Sequence, residues 1–153
     1  MANTYTQLYV QFVFAVQGRT NSIPREHSEE LHKYITGIIQ NKGHKVLAIN
    51  PMPNHIHIFI GKKPTVSESD LVRDIKTNST KFINDRKWAY GQFRWQEGFG
   101  AFSYANSQID YVVKYILNQE EHHKKKTFKE EYLEFLKEFK VDYKTEYLFD
   151  FDE

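Results

Sequence analysis

Met52-Pro53-Asn54-His55-Ile56-His57-Ile58-Phe59-Ile60 sets two histidines around one isoleucine, inside a run of β-branched and aromatic residues. In an extended strand successive side chains point to opposite faces, so His55, His57 and Phe59 share one face and Ile56, Ile58 and Ile60 the other. The isoleucines anchor the strand in a core and leave two imidazoles side by side on a rigid element. That arrangement suits a metal site or a proton-transfer site. A strand face that merely tolerates histidine is the alternative, and a further ligand elsewhere in the chain would separate the two.

Working outward, Leu8, Val10, Phe12, Phe14 and Val16 alternate with Tyr9, Gln11, Val13 and Ala15, a pattern apolar on nearly both faces that predicts a central strand. Gly18 to Pro24 reads as a loop. Leu31, Tyr34, Ile35, Ile38 and Ile39 then follow helical spacing up to a stop at Gly43. Lys45 to Asn50 reads as a second strand, and Pro51-Met52-Pro53-Asn54 turns it back into the histidine strand. After Gly61-Lys62-Lys63-Pro64, Ser67 is an N-cap for a helix whose buried stripe is Leu71, Val72, Ile75, Phe82 and Ile83. The aromatic, glycine-rich run Tyr90 to Tyr104 predicts a fourth strand with a loop, and exposed rings beside Arg94 would suit base stacking.

Strand, helix, strand, strand, helix, strand is the ferredoxin-like (RRM-like) α+β plan: an antiparallel sheet with helices on one face and the other left open for a ligand. The chain reads as a single domain, residues 1–153, with a core of about 5–104. A helix of about 107–123 follows, capped by Ser107, and then a C-terminal helix and acidic tail over 127–153. At about 100° per residue, Gln108, Tyr111, Tyr115, Gln119 and His122 fall within roughly 40° of one direction and form a polar stripe beside an apolar one. Thr127 to Glu130 is a capping box opening the C-terminal helix. The segment from Val141 onward, with Tyr143, Tyr147, Phe149 and Phe151, is expected to add a strand.

Composition narrows the chemistry. The chain has 153 residues and no cysteine, which excludes disulfides, thiolate nucleophiles and thiolate metal sites, so any metal takes nitrogen and oxygen ligands. No apolar run approaches the roughly 18 residues of a membrane span and no signal peptide is evident, so a cytoplasmic protein is expected. The net charge of +1 conceals a gradient: +2 over residues 1–61, +5 over 62–129 and −6 over 130–153. A basic body with an acidic tail fits a polyanion bound on one face. The candidate nucleic-acid contacts are Lys62, Lys63, Arg73, Lys76, Arg94, Lys124 and Lys125.

Together these residues resemble a known family. His55-Ile56-His57 is similar to the histidine-hydrophobe-histidine motif of HUH endonucleases. Tyr115-Ile116-Leu117-Asn118-Gln119 looks like the tyrosine signature of their single-tyrosine transposases. The blocks Ser69 to Lys76, Trp95 to Tyr104 and Asn118 to Lys125 resemble the insertion-sequence two-hundred transposases, over about Tyr9 to Phe149. The resemblance implies a transposase that cuts and rejoins single-stranded DNA beside hairpins at element ends. It also implies a homodimer in which the tyrosine helix of one subunit completes the histidine site of the other.

On that reading Tyr115 is the nucleophile, forming a 5′-phosphotyrosine. His55, His57 and Gln119 hold a divalent cation, Mg²⁺ or Mn²⁺, loosely because the set contains no carboxylate. Tyr111, one turn earlier, is a rival nucleophile, and His122 a secondary DNA or metal contact. Metal binding needs neutral imidazoles, so activity should fall at low pH. Three other readings remain: a related HUH nickase for replication or repeat elements, a non-catalytic single-stranded nucleic-acid-binding module, and a hydrolytic metalloenzyme. The last is disfavoured because no suitably spaced carboxylate joins the histidine pair.

Overall fold

The computed structural model describes residues 3–18, 23–89 and 91–151; Tyr90 and residues 19–22 of the expected loop lie outside the described residues. Strands β1 (Tyr9–Ala15), β2 (Lys45–Pro51), β3 (His55–Gly61) and β4 (Gly100–Tyr104) form one antiparallel sheet in the order β2-β3-β1-β4. Helices α1 (Ser28–Asn41) and α2 (Glu68–Asp85) connect them, giving the ferredoxin-like plan read from the alternation. The two most apolar strands, β1 and β3, lie at the centre and pair in a register that sets Val13 opposite His57 and Gln11 opposite Phe59.

One face of the sheet is the expected dry core. Phe12, Phe14, Ile56, Ile58 and Ile60 are fully buried together with Leu31, Ile35 and Ile39 of α1 and Leu71 and Ile75 of α2. Ser67 caps α2 by accepting from the Asp70 amide at 3.1 Å. The run before β4 joins this core with Phe93 and Trp95, which are buried and so turned away from base stacking: Trp95 meets Phe14 edge to face at 4.8 Å, and its indole N–H donates to Ser79 Oγ.

The other face is covered, where an open face was expected. Helix α3 (Ile109–Leu117) lays Val112 and Ile116 on Ala48 and Phe59, and Asn50 donates to the Ile116 carbonyl at 2.8 Å. Helix α5 (Phe128–Glu138) stacks Phe135 on Phe102 at 5.0 Å. The physical reason is that α5 carries its own apolar stripe, Tyr132, Phe135 and Leu136, which the sheet face is there to bury. Gly100 makes room, since a Cβ there would stand 2.8 Å from the Tyr132 hydroxyl.

Three local expectations change. Ser107 does not cap the tyrosine helix; Asn106–Gln108 forms a 3-10 turn before α3, and the Gln108 side chain accepts from the Ala105 amide. The expected single helix of about 107–123 breaks at Asn118 (ψ 23°) into α3 and the short α4 (Gln119–His122). Among the described residues the tail forms no strand, only a 3-10 turn at Thr145–Tyr147. Its rings pack instead, Phe149 tilted against Tyr132 at 4.9 Å and Phe151 edge to face with Phe128 at 5.5 Å, while the Gln96 amide clasps both backbone groups of Asp150. Among the described residues no helix is long and apolar enough to cross a membrane.

Candidate metal centre and tyrosine site

The histidine pair lies at the head of β3, on the face that α3 and α5 cover, and both imidazoles are fully buried. Each ring is oriented from behind. His55 Nδ1 lies 2.7 Å from Asn54 Oδ1, and His57 Nδ1 lies 2.7 Å from Gln11 Oε1. Gln11 spends its amide N–H on the Tyr104 hydroxyl at 2.8 Å, which leaves its carbonyl for the histidine. An amide oxygen only accepts, so both rings carry their proton on Nδ1 and turn Nε2 lone pairs toward each other's surroundings.

What those lone pairs meet is oxygen. Gln119 Oε1 stands 3.1 Å from His55 Nε2, and Glu131 Oε1 stands 3.1 Å from His57 Nε2 and 3.7 Å from His55 Nε2. The Gln119 N–H donates to Glu131 Oε2 at 2.9 Å, so the amide is fixed with its oxygen toward the histidines. His123 Nε2 approaches the same two oxygens, at 3.0 Å from Gln119 Oε1 and 3.2 Å from Glu131 Oε1. The Tyr115 hydroxyl donates to Glu131 Oε2. Phe128 closes the top, stacked on the His55 ring at 4.0 Å.

Two imidazole nitrogens, an amide oxygen and a carboxylate oxygen thus converge as acceptors, and acceptors in a dry interior are stable only around a positive charge. Burial, with the neighbouring His57, holds the His55 imidazole far below its ordinary range, which disfavours supplying that charge as a ring proton. A divalent ion supplies it otherwise. Donors about 2.1 Å from one ion stand roughly 3.0 to 3.5 Å apart, and the ligand atoms of His55, His57 and Glu131 lie within 4.8 Å of one another, so a small inward movement around an ion brings them to that spacing. The residues therefore fit the metal that the sequence reading calls for.

The carboxylate corrects that reading. Glu131 joins the pair from α5, a carboxylate the spacing of the motif gave no sign of, and its side chain is 3% exposed. Burial would raise its carboxyl, but the facing His57, His123 and His55 outweigh burial and hold it below the usual carboxylate range. Burial and the Glu131 charge in turn push the Tyr115 phenol above its ordinary range. A signal for Glu131 did exist. It occupies an inward position of α5, between Phe128 and Phe135, where an unpartnered charge would not be tolerated. Gln11 likewise interrupts the apolar alternation of β1, and His123 stands four residues after Gln119.

Of the expected stripe on the tyrosine helix, Tyr115 and Gln119 reach the histidines. Tyr111 is 71% exposed at the rim of a cavity of about 540 Å³ between α3 and α5. His122 packs its ring against Tyr115 at 4.4 Å, while His123 faces the site. Arg94, Lys124 and Lys125 are exposed near the head of β3; Lys124 is paired with Glu121 at 3.0 Å. Lys62 and Lys63 sit at the far end of the strand, and Lys62 is buried beside Glu68. Arg73 pairs with Asp70. Lys76 is turned inward, donating to the carbonyls of Gln96 and Gly98 at 2.8 and 2.7 Å, with burial lowering it to about 8.

Comparison with known proteins agrees with this fold. No curated protein matches the sequence. A crystal structure of a candidate transposase from Deinococcus radiodurans superposes with a TM-score of 0.60 at 19% identity, over 78% of this chain and 95% of that one. A REP-associated tyrosine transposase bound to a REP hairpin superposes with a TM-score of 0.59 at 17% identity, over 80% of this chain and 73% of that one. At such identities the likeness is one of fold. A family model described as "Transposase IS200 like" matches residues 4–119, a span holding β1 to β4, the histidine pair, Tyr115 and Gln119. The chain belongs to the family of IS200-like transposases.

Proposed function

We propose that the protein cleaves and rejoins single-stranded DNA through a 5′-phosphotyrosine on Tyr115, at a divalent cation, Mg²⁺ or Mn²⁺, held by His55, His57 and Gln119. The observation that carries this reading is the hydrogen bond of the Tyr115 hydroxyl to Glu131, the same carboxylate that faces both histidine Nε2 atoms. A nucleophile and a cation-binding cluster thereby meet within one chain. We place the tyrosine in cis on the strength of the Tyr115–Glu131 hydrogen bond within one chain, where the family resemblance implies exchange between two subunits.

Phosphodiester cleavage needs an oxygen in line with the scissile bond and stabilisation of charge on the non-bridging oxygens. The Tyr115 oxygen bonds to phosphorus, the bond to the 3′ oxygen breaks, and a 3′-hydroxyl is released. Glu131 holds the phenol in place and faces its proton. A bound divalent ion supplies Lewis acidity and a template for the phosphate. Because the link to tyrosine preserves the phosphodiester's reactivity, a 3′-hydroxyl from another end reverses the step, and joining needs no nucleotide cofactor. The relative bound to a hairpin supports DNA hairpins flanked by single strands as the substrate class. Arg94, Lys124 and Lys125, on the histidine side of the sheet, are the candidate phosphate contacts.

The test is a labelled single strand from the flanks of the protein's own gene, with and without Mn²⁺, on a denaturing gel. Wild type and Tyr111→Phe are expected to give a covalent protein–DNA band and Tyr115→Phe none. The His55, His57, Glu131 set also fits metal-dependent hydrolysis. Cleavage without any adduct, unaffected by Tyr115→Phe, would favour that second reading.

A further inference from the structure

The family match ends at Gln119, and everything that seals the histidine site follows it: His123, the stacked Phe128 and the carboxylate of Glu131. Helix α5 holds that carboxylate rigidly. A two-way capping box between Thr127 and Glu130 fixes its start, Phe135 lies on Phe102, and the tail is clasped over it by Gln96. The 540 Å³ cavity is lined by Tyr115, His123 and Glu131, while the two catalytic histidines and Gln119 do not reach its wall. An ion coming from solvent through this cavity therefore meets Glu131 and His123 before it meets His55 or His57.

We propose that Glu131 is itself a ligand of the cation, so that the protein alone offers four donors and takes up a transition-type divalent ion such as Mn²⁺ before any DNA arrives. This rests on the reading that His55, His57 and Gln119 bind the ion, and it changes the character of the site. A three-donor neutral set leaves the ion dependent on phosphate oxygens. A buried carboxylate adds a full negative charge at 3.1 Å from His57 Nε2, on an element already in position. Mg²⁺, which gives up its water reluctantly, is ill suited to so dry a cluster of two imidazoles. Mn²⁺, with more tolerance for nitrogen, fits it better.

The experiment is direct titration of Mn²⁺ into the DNA-free full-length chain, by calorimetry and by the loss of the free-ion electron paramagnetic resonance signal. Wild type is expected to bind one Mn²⁺ per chain, with an equal concentration of Mg²⁺ failing to displace it. Glu131→Gln, which keeps the shape and removes the charge, should weaken binding at least tenfold, and Lys63→Ala, at the far end of the sheet, should leave it unchanged. Equal affinity in wild type and Glu131→Gln overturns the proposal, as does a wild type that binds no Mn²⁺ without DNA. Should Glu131→Gln fail to fold, the wild type decides: Mn²⁺ must raise its Tm and shift its carboxylate infrared bands, and an unchanged spectrum refutes the ligand. Tight Mn²⁺ binding with no DNA adduct would sink the proposed transferase chemistry and leave this site standing. An adduct from a chain indifferent to Glu131→Gln would do the reverse.

Discussion

The two faces of one sheet are built on opposite principles. Below, Ile56, Ile58 and Ile60 meet α1 and α2 in an apolar core. Above, His55 and His57 on the same strand are equally buried, yet they meet Gln11, Gln119, Glu131 and Tyr115. The dry face derives its stability from removing apolar surface from water. The wet face has the same burial but spends it on orienting acceptors, and a buried network of that kind contributes specificity and chemistry more than net stability.

This comparison predicts unequal costs. Ile58→Ala, on the dry face, should cost about 2–5 kcal/mol and lower Tm sharply, as measured by denaturant or thermal unfolding. Gly100→Ala comes next: its methyl group would collide with the Tyr132 ring, for about 1–3 kcal/mol. Because it displaces α5, it should also weaken Mn²⁺ binding, an effect Ile58→Ala has no direct route to produce while folded. Glu131→Gln should also lower metal-free stability, by about 1–3 kcal/mol, because the facing histidines favour the carboxylate in the folded state and lose a hydrogen-bond partner. A collapse of Glu131→Gln as severe as that of Ile58→Ala would erase the distinction between the faces.

The pH dependence has a definite sign. His55 has a folded pKa lowered below its unfolded value of 6.5, so the unfolded chain binds its proton more readily than the folded one. Stability of the metal-free protein is therefore full above that value and declines as pH falls below it. Melting in EDTA between pH 8 and 5 should show Tm falling with pH, and a flat profile would contradict the neutral, buried imidazole. The smallest effects lie on the surface. Arg94→Ala, at the head of the sheet, should weaken single-strand binding and reduce its salt slope by about one. Lys63→Ala, at the far end, should leave both unchanged.

The dry face was readable from sequence because periodicity is a local property. Alternation in β1 and β3 and the helical stripes of α1 and α2 each announce what they bury, and strand order follows from their succession. The wet face was half readable. His55, His57, Tyr115 and Gln119 carry a local motif, whereas Glu131 lies 74 residues from His57 and is linked to it only by the docking of α5. The covered face was missed for the same reason: an amphipathic helix states that it buries a stripe but not against which surface. The tail misled because its alternating aromatics resemble a strand, while what orders Phe149 and Phe151 is tilted and edge-to-face ring packing.

The proposed function requires one chain to bring its own Tyr115 to its own histidine pair. Mixing Tyr115→Phe with His57→Ala, with labelled single-stranded DNA and Mn²⁺, separates this from exchange between subunits, because each variant lacks what the other retains. A site assembled within the chain predicts that the mixture forms no covalent protein–DNA adduct while wild type does. An adduct appearing in the mixture, on the His57→Ala chain, would show that the tyrosine serves a neighbour's histidines.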